Sequence, residues 1–249
     1  MLSKNLSKFI QSLHQKKYRQ EHGAFLVEGA KSVREVLASG FQVDILLATE
    51  AFYKENDRLS DNQRPRIEIV TPADLERAGT LESNNTALAV VKIKENRPLI
   101  AEPNEWVLVL DDIRDPGNLG TILRIADWYG IRKIICSDTT ADVYNPKVIS
   151  ASKGSFTRVA WWYGDIAGQL KQHPDVPVYG AFLDGSDVHR ITFGRTGYLV
   201  MGNESNGIGP EVAALVSQRI TIPRYGEAES LNVGIATAII LDNWRRSLT

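Results

Sequence analysis

The sequence predicts an α/β protein in which a small α/β layer at the amino end precedes an open parallel sheet flanked by helices. Three observations carry this. WVLVLDDI (106–113) is a nearly continuous apolar run, as expected of a parallel strand covered on both faces. Further β-rich stretches follow it at intervals that leave room for helices. The 249 residues, 43% hydrophobic and 24% charged, suffice for one large domain or two modest ones at ~150 residues each.

In chain order, Leu6, Ile10 and Leu13 recur at helical spacing, and AFLVEG (24–29) reads as a short strand. Val33, Val36 and Leu37 mark a helix closed by Gly40. VDILLAT (43–49), RIEIVT (66–71) and TALAVVKI (86–93) complete a layer of about four strands. KENRPLIAEPNE (94–105) combines charge with Pro98 and Pro103, which places a linker at 98–105 between domains 1–97 and 106–249. Beyond it, NLGTILRIADWYG (118–130) reads as the helix after the first strand. RKIICS (132–137), VAWWY (159–163), PVYGAF (177–182), GYLVMG (197–202) and ITIP (220–223) read as further strands. The last segment, LNVGIATAIILDNWRR (231–246), has an apolar face too broad for a lone surface helix, with Val233, Ile235, Ile239, Ile240 and Trp244. Burial is expected, including against a second subunit.

Composition excludes disorder, collagen and coiled coil. Lys+Arg 29 against Asp+Glu 30 neither announces nor forbids a nucleic-acid partner, because a polyanion responds to clustering rather than to the average. Cys136 is alone, and His14, His22, His173 and His189 are too scattered for zinc-ligand spacing, so a reducing cytoplasm and no metal are expected. No apolar run approaches the ~20 residues of a membrane span. The start, MLSKNLSKFIQSLHQKK, lacks a signal-peptide apolar region.

Ligands of open α/β sheets bind at the carboxyl ends of strands, which directs attention to three loops. In RDPGNLGTILR (114–124), Pro116 and Gly117 form a turn, Asn118 can cap the following helix, and Arg124 falls on its second turn. That spacing alone equally describes a cap and a solvated arginine. In GNESNGIGP (202–210), three glycines and two asparagines surround Glu204, a poor turn former, which suggests backbone held close to a ligand. Neither GxGxxG nor GxxxxGK[ST] occurs, so dinucleotide and P-loop readings lose their support. In ITIPRYGEAESLNVGIATAI (220–239), Ser230 and Asn232 bracket Leu231 just before a helix, and capping is the expected role of one of them.

Together, NLGTILR, GNESNGIG and IPRYGEAESLNVGIA resemble motifs one, two and three of the SpoU/TrmH family of SPOUT methyltransferases, a likeness covering residues 106–246. KKYRQEHGAFLVEGAKSVREVL (16–37) is similar to that family's L30e-like substrate-binding domain. The resemblance implies a deep carboxyl-terminal trefoil knot and a homodimer. It also implies an enzyme that uses S-adenosylmethionine as donor and a ribose 2′-hydroxyl of RNA as acceptor, without a metal. It carries catalytic roles to Asn118, Arg124, Glu204, Ser230 and Asn232, and cofactor contacts to Gly202, Ile222 and Leu231. Two departures touch substrate approach: Ile125 stands where Thr is frequent, and SNNTALAVV lacks the Gln-Gly or Pro-Gly that often precedes that strand.

The resemblance assigns Arg124 to activating the ribose hydroxyl, but a guanidinium is a poor base. Two routes remain: Arg124 positions a phosphate that takes the proton, or burial and contacts make a neutral guanidine transiently accessible, the first costing less. For gripping RNA, the first forty residues hold seven basic side chains against three acidic ones, and Lys16, Lys17, Tyr18 and Arg19 join a stackable ring to phosphate-binding charge. Ribosomal RNA is favoured over transfer RNA by analogy with the two-domain layout. The competing readings are a non-catalytic knotted RNA-binding or assembly protein and a dehydrogenase-type nucleotide enzyme.

Overall fold

The structure, a computed structural model, describes residues 2–61, 64–81 and 83–248. In chain order the first elements are α1 (Lys4–Ser12), α2 (Lys16–His22), β1 (Ala24–Glu28), α3 (Ala30–Leu37), β2 (Val43–Ala48), α4 (Glu50–Asp61), β3 (Arg66–Ile69), α5 (Pro72–Ala78) and β4 (Ala87–Lys92). Then come β5 (Trp106–Leu110), α6 (Pro116–Tyr129), β6 (Lys133–Cys136), α7 (Pro146–Ser152), β7 (Ala160–Tyr163) and α8 (Ile166–Lys171). The chain closes with β8 (Val178–Asp187), β9 (Gly197–Met201), α9 (Pro210–Ala213), β10 (Gln218–Thr221) and α10 (Val233–Ser247). Two compact units emerge: Met1–Glu95 with Asp142–Thr157, and Asn96–Ala141 with Arg158–Thr249. A single linker at 98–105 does not describe this division, because the excursion 142–157 belongs with the first unit.

In that unit the strands pair in the order β1-β4-β2-β3, with β2–β3 parallel and the other pairs antiparallel. Alternation along β1 explains why both faces are covered. Ala24 and Leu26 join Leu6, Ile10, Leu13, Leu75 and Leu88 in one cluster. Phe25, between them, points the other way and meets Phe41, Tyr144 and Phe156 with ring centroids 5.8, 4.7 and 6.2 Å away. Such aromatic pairs contribute about 0.5–1.5 kcal/mol each beyond area burial, which accounts for the return of 142–157 to this unit. Burial pushes the Tyr144 phenol up to about 12, so at neutral pH it stays protonated while its oxygen accepts from the Lys94 backbone N–H at 3.0 Å.

Arg19 leaves the RNA-facing set. Its side chain is only 3% exposed, its Nη2 lies 2.7 Å from Asp142 Oδ2, and its Nη1 donates to the Leu13 and His14 carbonyls at 3.1 and 2.9 Å. The guanidinium is consumed in tying α2 to the 142–157 segment. Lys16 and Lys17 remain exposed, and Tyr18 is half-buried with its ring stacked on His22.

In the second unit six parallel strands run in the order β10-β8-β9-β5-β6-β7, the open sheet anticipated from the apolar runs. The chain leaves β5 toward β6 and β7, then returns through β8, β9 and β10 on the other side. The switch point therefore falls between β5 and β9, where open sheets bind ligands. Val107 and Val109 face a cluster that includes Ile166, Leu170 and Val212. On the opposite face Trp106 stacks on Trp244 at 4.9 Å, bringing α10 down onto β5. The β8–β10 ladder jumps from Arg219↔Gly180 to Ile220↔Ser186, so residues 181–185 bow out of the sheet. No helix among the described residues is long and apolar enough to cross a membrane.

Removing one partner of a buried ion pair leaves the other charge uncompensated, so Arg19→Ala should lose about 3–5 kcal/mol of stability. The Arg19→Met/Asp142→Leu double variant should lose less. Urea unfolding of the three proteins measures the difference.

Candidate functional site

Asp115, rather than Asn118, caps α6: its Oδ1 accepts from the Asn118 backbone N–H at 2.7 Å. This leaves the Asn118 side chain available for tertiary contacts. Its Nδ2 donates to Glu204 Oε1 at 2.5 Å, and its Oδ1 accepts from Asn232 Nδ2 at 2.8 Å. Asn232 Nδ2 also lies 3.4 Å from Glu204 Oε1. Asn232 does cap, as expected for one of the pair with Ser230: its Oδ1 accepts from Gly234 N–H and Ile235 N–H at 3.0 and 3.3 Å. An amide oxygen committed to a helix start leaves only the amide nitrogen to face outward, so the cap dictates which way Asn232 points. The loops after β5, β9 and β10 thus meet in one hydrogen-bonded cluster.

The turn carrying Glu204 is anchored by residues that the sequence reading did not single out. Asn203 Nδ2 donates to the Asp112 carbonyl at 2.9 Å and to Asp112 Oδ2 at 3.2 Å, while its Oδ1 accepts from Ser205 N–H and Asn206 N–H. Asp111 Oδ2 accepts from Gly209 N–H at 2.7 Å. The Arg114 guanidinium bonded to Asp112 holds that carboxyl below its usual range, which keeps it an acceptor at neutral pH. The available signal was two adjacent acids directly after an apolar strand. Gly202 is required by sterics: a Cβ there would meet the Gly207 carbonyl carbon at 2.3 Å and the Ile208 nitrogen at 2.4 Å.

Beside the cluster lies a cleft of about 590 Å³, within the usual range for small-molecule sites. Gly202, Ile222 and Leu231 are on its wall, with Ser230, Glu204 and the bowed-out Phe182 and Leu183. Glu204 therefore belongs to both cleft and cluster. Arg124 does not join them. Six residues beyond Asn118 on one helix is 600°, roughly a third of a turn off its face; Arg124 is exposed and makes no hydrogen bond or ion pair among the described residues. Burial pushes the Cys136 thiol far up, so it supplies no thiolate at neutral pH. No group of three metal-ligating side chains is found among the described residues.

The cleft lies among the bowed-out part of β8 and the loops that follow β9 and β10 of the six-stranded parallel sheet, beside the Asn118–Glu204–Asn232 cluster, an arrangement by which open α/β sheets bind ligands. Solved structures share this fold over nearly the whole chain. A TrmH-family protein from Porphyromonas gingivalis is 38% identical, with a TM-score of 0.90 and 99% of each chain covered. The AdoMet-bound rRNA methyltransferase of Sinorhizobium meliloti is 28% identical, with a TM-score of 0.90, 100% of this chain and 97% of that one covered. The chain belongs to the SpoU rRNA Methylase family, whose profile matches residues 105–242, and residues 5–89 match the MRM3-like substrate binding domain. Among curated relatives, the 23S rRNA (guanosine(2553)-2′-O)-methyltransferase RlmP of Bacillus subtilis is 30% identical, over 94% of this chain and 93% of its own length.

Forcing a methyl group into the Gly202 site overpacks backbone against backbone. Gly202→Ala should cost about 1–3 kcal/mol, read as a lowered denaturation midpoint.

Proposed function

We propose that the protein transfers a methyl group from S-adenosylmethionine to a ribose 2′-hydroxyl of large-subunit ribosomal RNA. The observation that carries this is the convergence of Asn118, Glu204 and Asn232 from three strand ends beside a cleft walled by Gly202, Ile222 and Leu231. Ribosomal rather than transfer RNA is supported by the names of relatives such as RlmP and the 23S rRNA (uridine(2479)-2′-O)-methyltransferase of Streptomyces viridochromogenes, 28% identical over 93% of this chain and 86% of its own length.

The cleft fits the donor in character: Ile222, Leu231 and Val233 offer apolar faces to an adenine, and bare backbone at Gly202 permits close approach. When bound, S-adenosylmethionine supplies a methyl on a sulfonium, whose displacement consumes positive charge. The chain's task is then alignment and the handling of one proton. Glu204 Oε2 has no partner among the described residues; in this reading it orients the ribose through a hydroxyl other than the reacting one, while Asn118 and Asn232 fix the carboxylate through its other oxygen. Ser230, on the cleft wall, supplies a further hydroxyl to the reacting region. Arg124 positions the phosphate that takes the proton.

Arg124 works from a second copy of the chain in this reading. It shares a helix face with Trp128, four residues on, which is 84% exposed, and Ile235 on α10 is 54% exposed. Burial of that apolar surface in a homodimer carries Arg124 to the partner's cleft. The reading further includes a knotted carboxyl end, which rests on the resemblance of IPRYGEAESLNVGIA to motif three of the family. Lys16, Lys17 and Tyr18 serve as RNA contacts, and the protein works in the cytoplasm.

The primary test is transfer of labelled methyl to RNA from a strain lacking the protein, with mapping of the product. A label confined to a 23S ribose 2′-oxygen is expected, and its absence from RNA defeats the proposal. Arg124→Ala should abolish transfer while calorimetric S-adenosylmethionine affinity is nearly unchanged. Randomly mixed Arg124→Ala and Asn118→Ala chains should recover about a quarter of the sites if Arg124 acts across a two-fold dimer, and none if it acts within its own chain. Lys16→Ala/Lys17→Ala should flatten the dependence of log RNA affinity on log salt by roughly 1.5 to 2 units, measured by filter binding.

A further inference from the structure

At the end of the parallel sheet opposite the cleft, a second hollow of about 560 Å³ opens where β5 and β6 begin, before β9, and at the last turn of α10. Three guanidinium groups line it, from distant positions in the chain: Arg132, Arg195 and Arg245. Trp244, stacked on Trp106 at 4.9 Å, forms part of its wall.

Arg245 has a structural role. Its Nε and Nη2 donate to the Tyr129 carbonyl at 2.7 and 2.5 Å, which offsets the negative end of the α6 dipole, and its guanidinium lies 4.3 Å above the Trp244 ring. Gly130, at φ 72°, makes room for it, since a Cβ there would meet Arg245 Nη2 at 2.6 Å.

Arg132 and Arg195 have no such explanation. Both are exposed, and neither side chain makes a hydrogen bond or ion pair among the described residues. Of the two acids on the same wall, Glu105 is occupied by Lys133 Nζ at 2.6 Å and by the Glu102 backbone N–H at 3.1 Å, so Glu102 is the one remaining acid on a wall that carries three arginines. The whole chain carries a formal charge of −1, so this concentration does not follow from general basicity. Gathering like charges around one hollow is unfavourable until an anion enters, and the forked donors of arginine match phosphate oxygens.

We propose that this hollow is a phosphate-binding site, taking either a phosphodiester of an RNA strand or a free phosphate or pyrophosphate anion. Five residues of β5, about 17 Å, separate it from the methyl-transfer cleft, so its occupant is a different phosphate from the one beside the reacting ribose.

Calorimetric titration of the full chain with sodium pyrophosphate tests this, comparing wild type with Arg132→Ala/Arg195→Ala and titrating S-adenosylmethionine in parallel. Saturable wild-type binding, at least tenfold weaker in the variant with S-adenosylmethionine affinity unchanged, is expected. No saturable wild-type binding, or equal binding by the variant, overturns the site. If the double variant also loses S-adenosylmethionine, the single Arg195→Gln variant decides by the same criterion. Filter binding of ribosomal RNA across a salt series then separates the sources. A log–log slope flatter by about one unit per lost contact assigns the site to RNA phosphate, and an unchanged slope with lost pyrophosphate binding assigns it to the free anion. Wild type that binds pyrophosphate but not S-adenosylmethionine keeps this site and removes the methyl-transfer reading instead.

Discussion

The two ends of an amide have opposite hydrogen-bonding character, and the candidate site depends on how Asn232 divides them. Its oxygen closes the first turn of α10, so its nitrogen is turned toward Asn118 and Glu204. Helix start and polar cluster are therefore one structure: α10 cannot begin where it does without presenting a donor to the other two loops. Asn118 is freed for the complementary role because Asp115, three residues earlier, satisfies the opening of α6. Two caps, one made by a dedicated residue and one shared with the site, set the geometry on which the proposed chemistry rests.

A cluster at the mouth of a cleft is useful only if the turn behind it is stiff. Asn203 supplies that stiffness by bonding both to the loop after β5 and to the backbone of its own turn. The absence of a side chain at Gly202 lets the turn fold flat against the strand end. The result is a turn pinned by hydrogen bonds to its own backbone and to the loop after β5, which holds Glu204 in place beside the cleft. Glu204, Ser230 and Asn232 stay exposed at the rim.

The first unit solves a different problem. A four-stranded sheet needs both faces covered, and the local helices are supplemented by Tyr144 and Phe156 from 142–157, far along the chain. Arg19 secures that segment through Asp142, which is why a residue in a basic run became interior structure while its neighbours Lys16 and Lys17 stayed in solvent. A charge run does not disclose which of its members has a buried partner, because that partner lies 123 residues away.

Periodicity and apolar runs determined most of the strands, the four helices with clear apolar spacing, the parallel character of the larger sheet and the three loops worth inspecting, since these follow from local patterning and from where strands must end. Motif content determined the family for the same reason. The short helices between the strands, such as α5 and α8, carry too few residues for a periodic signal. Tertiary structure alone decided that Asp115 rather than Asn118 caps α6, that Asn232 both caps and donates, that Arg124 stands off the face carrying Asn118, and that Arg132, Arg195 and Arg245 share one hollow. Each of these depends on the orientation of a side chain or on partners brought together by strand order. A linear sequence shows which donors and acceptors exist, and only the folded chain determines which of them meet.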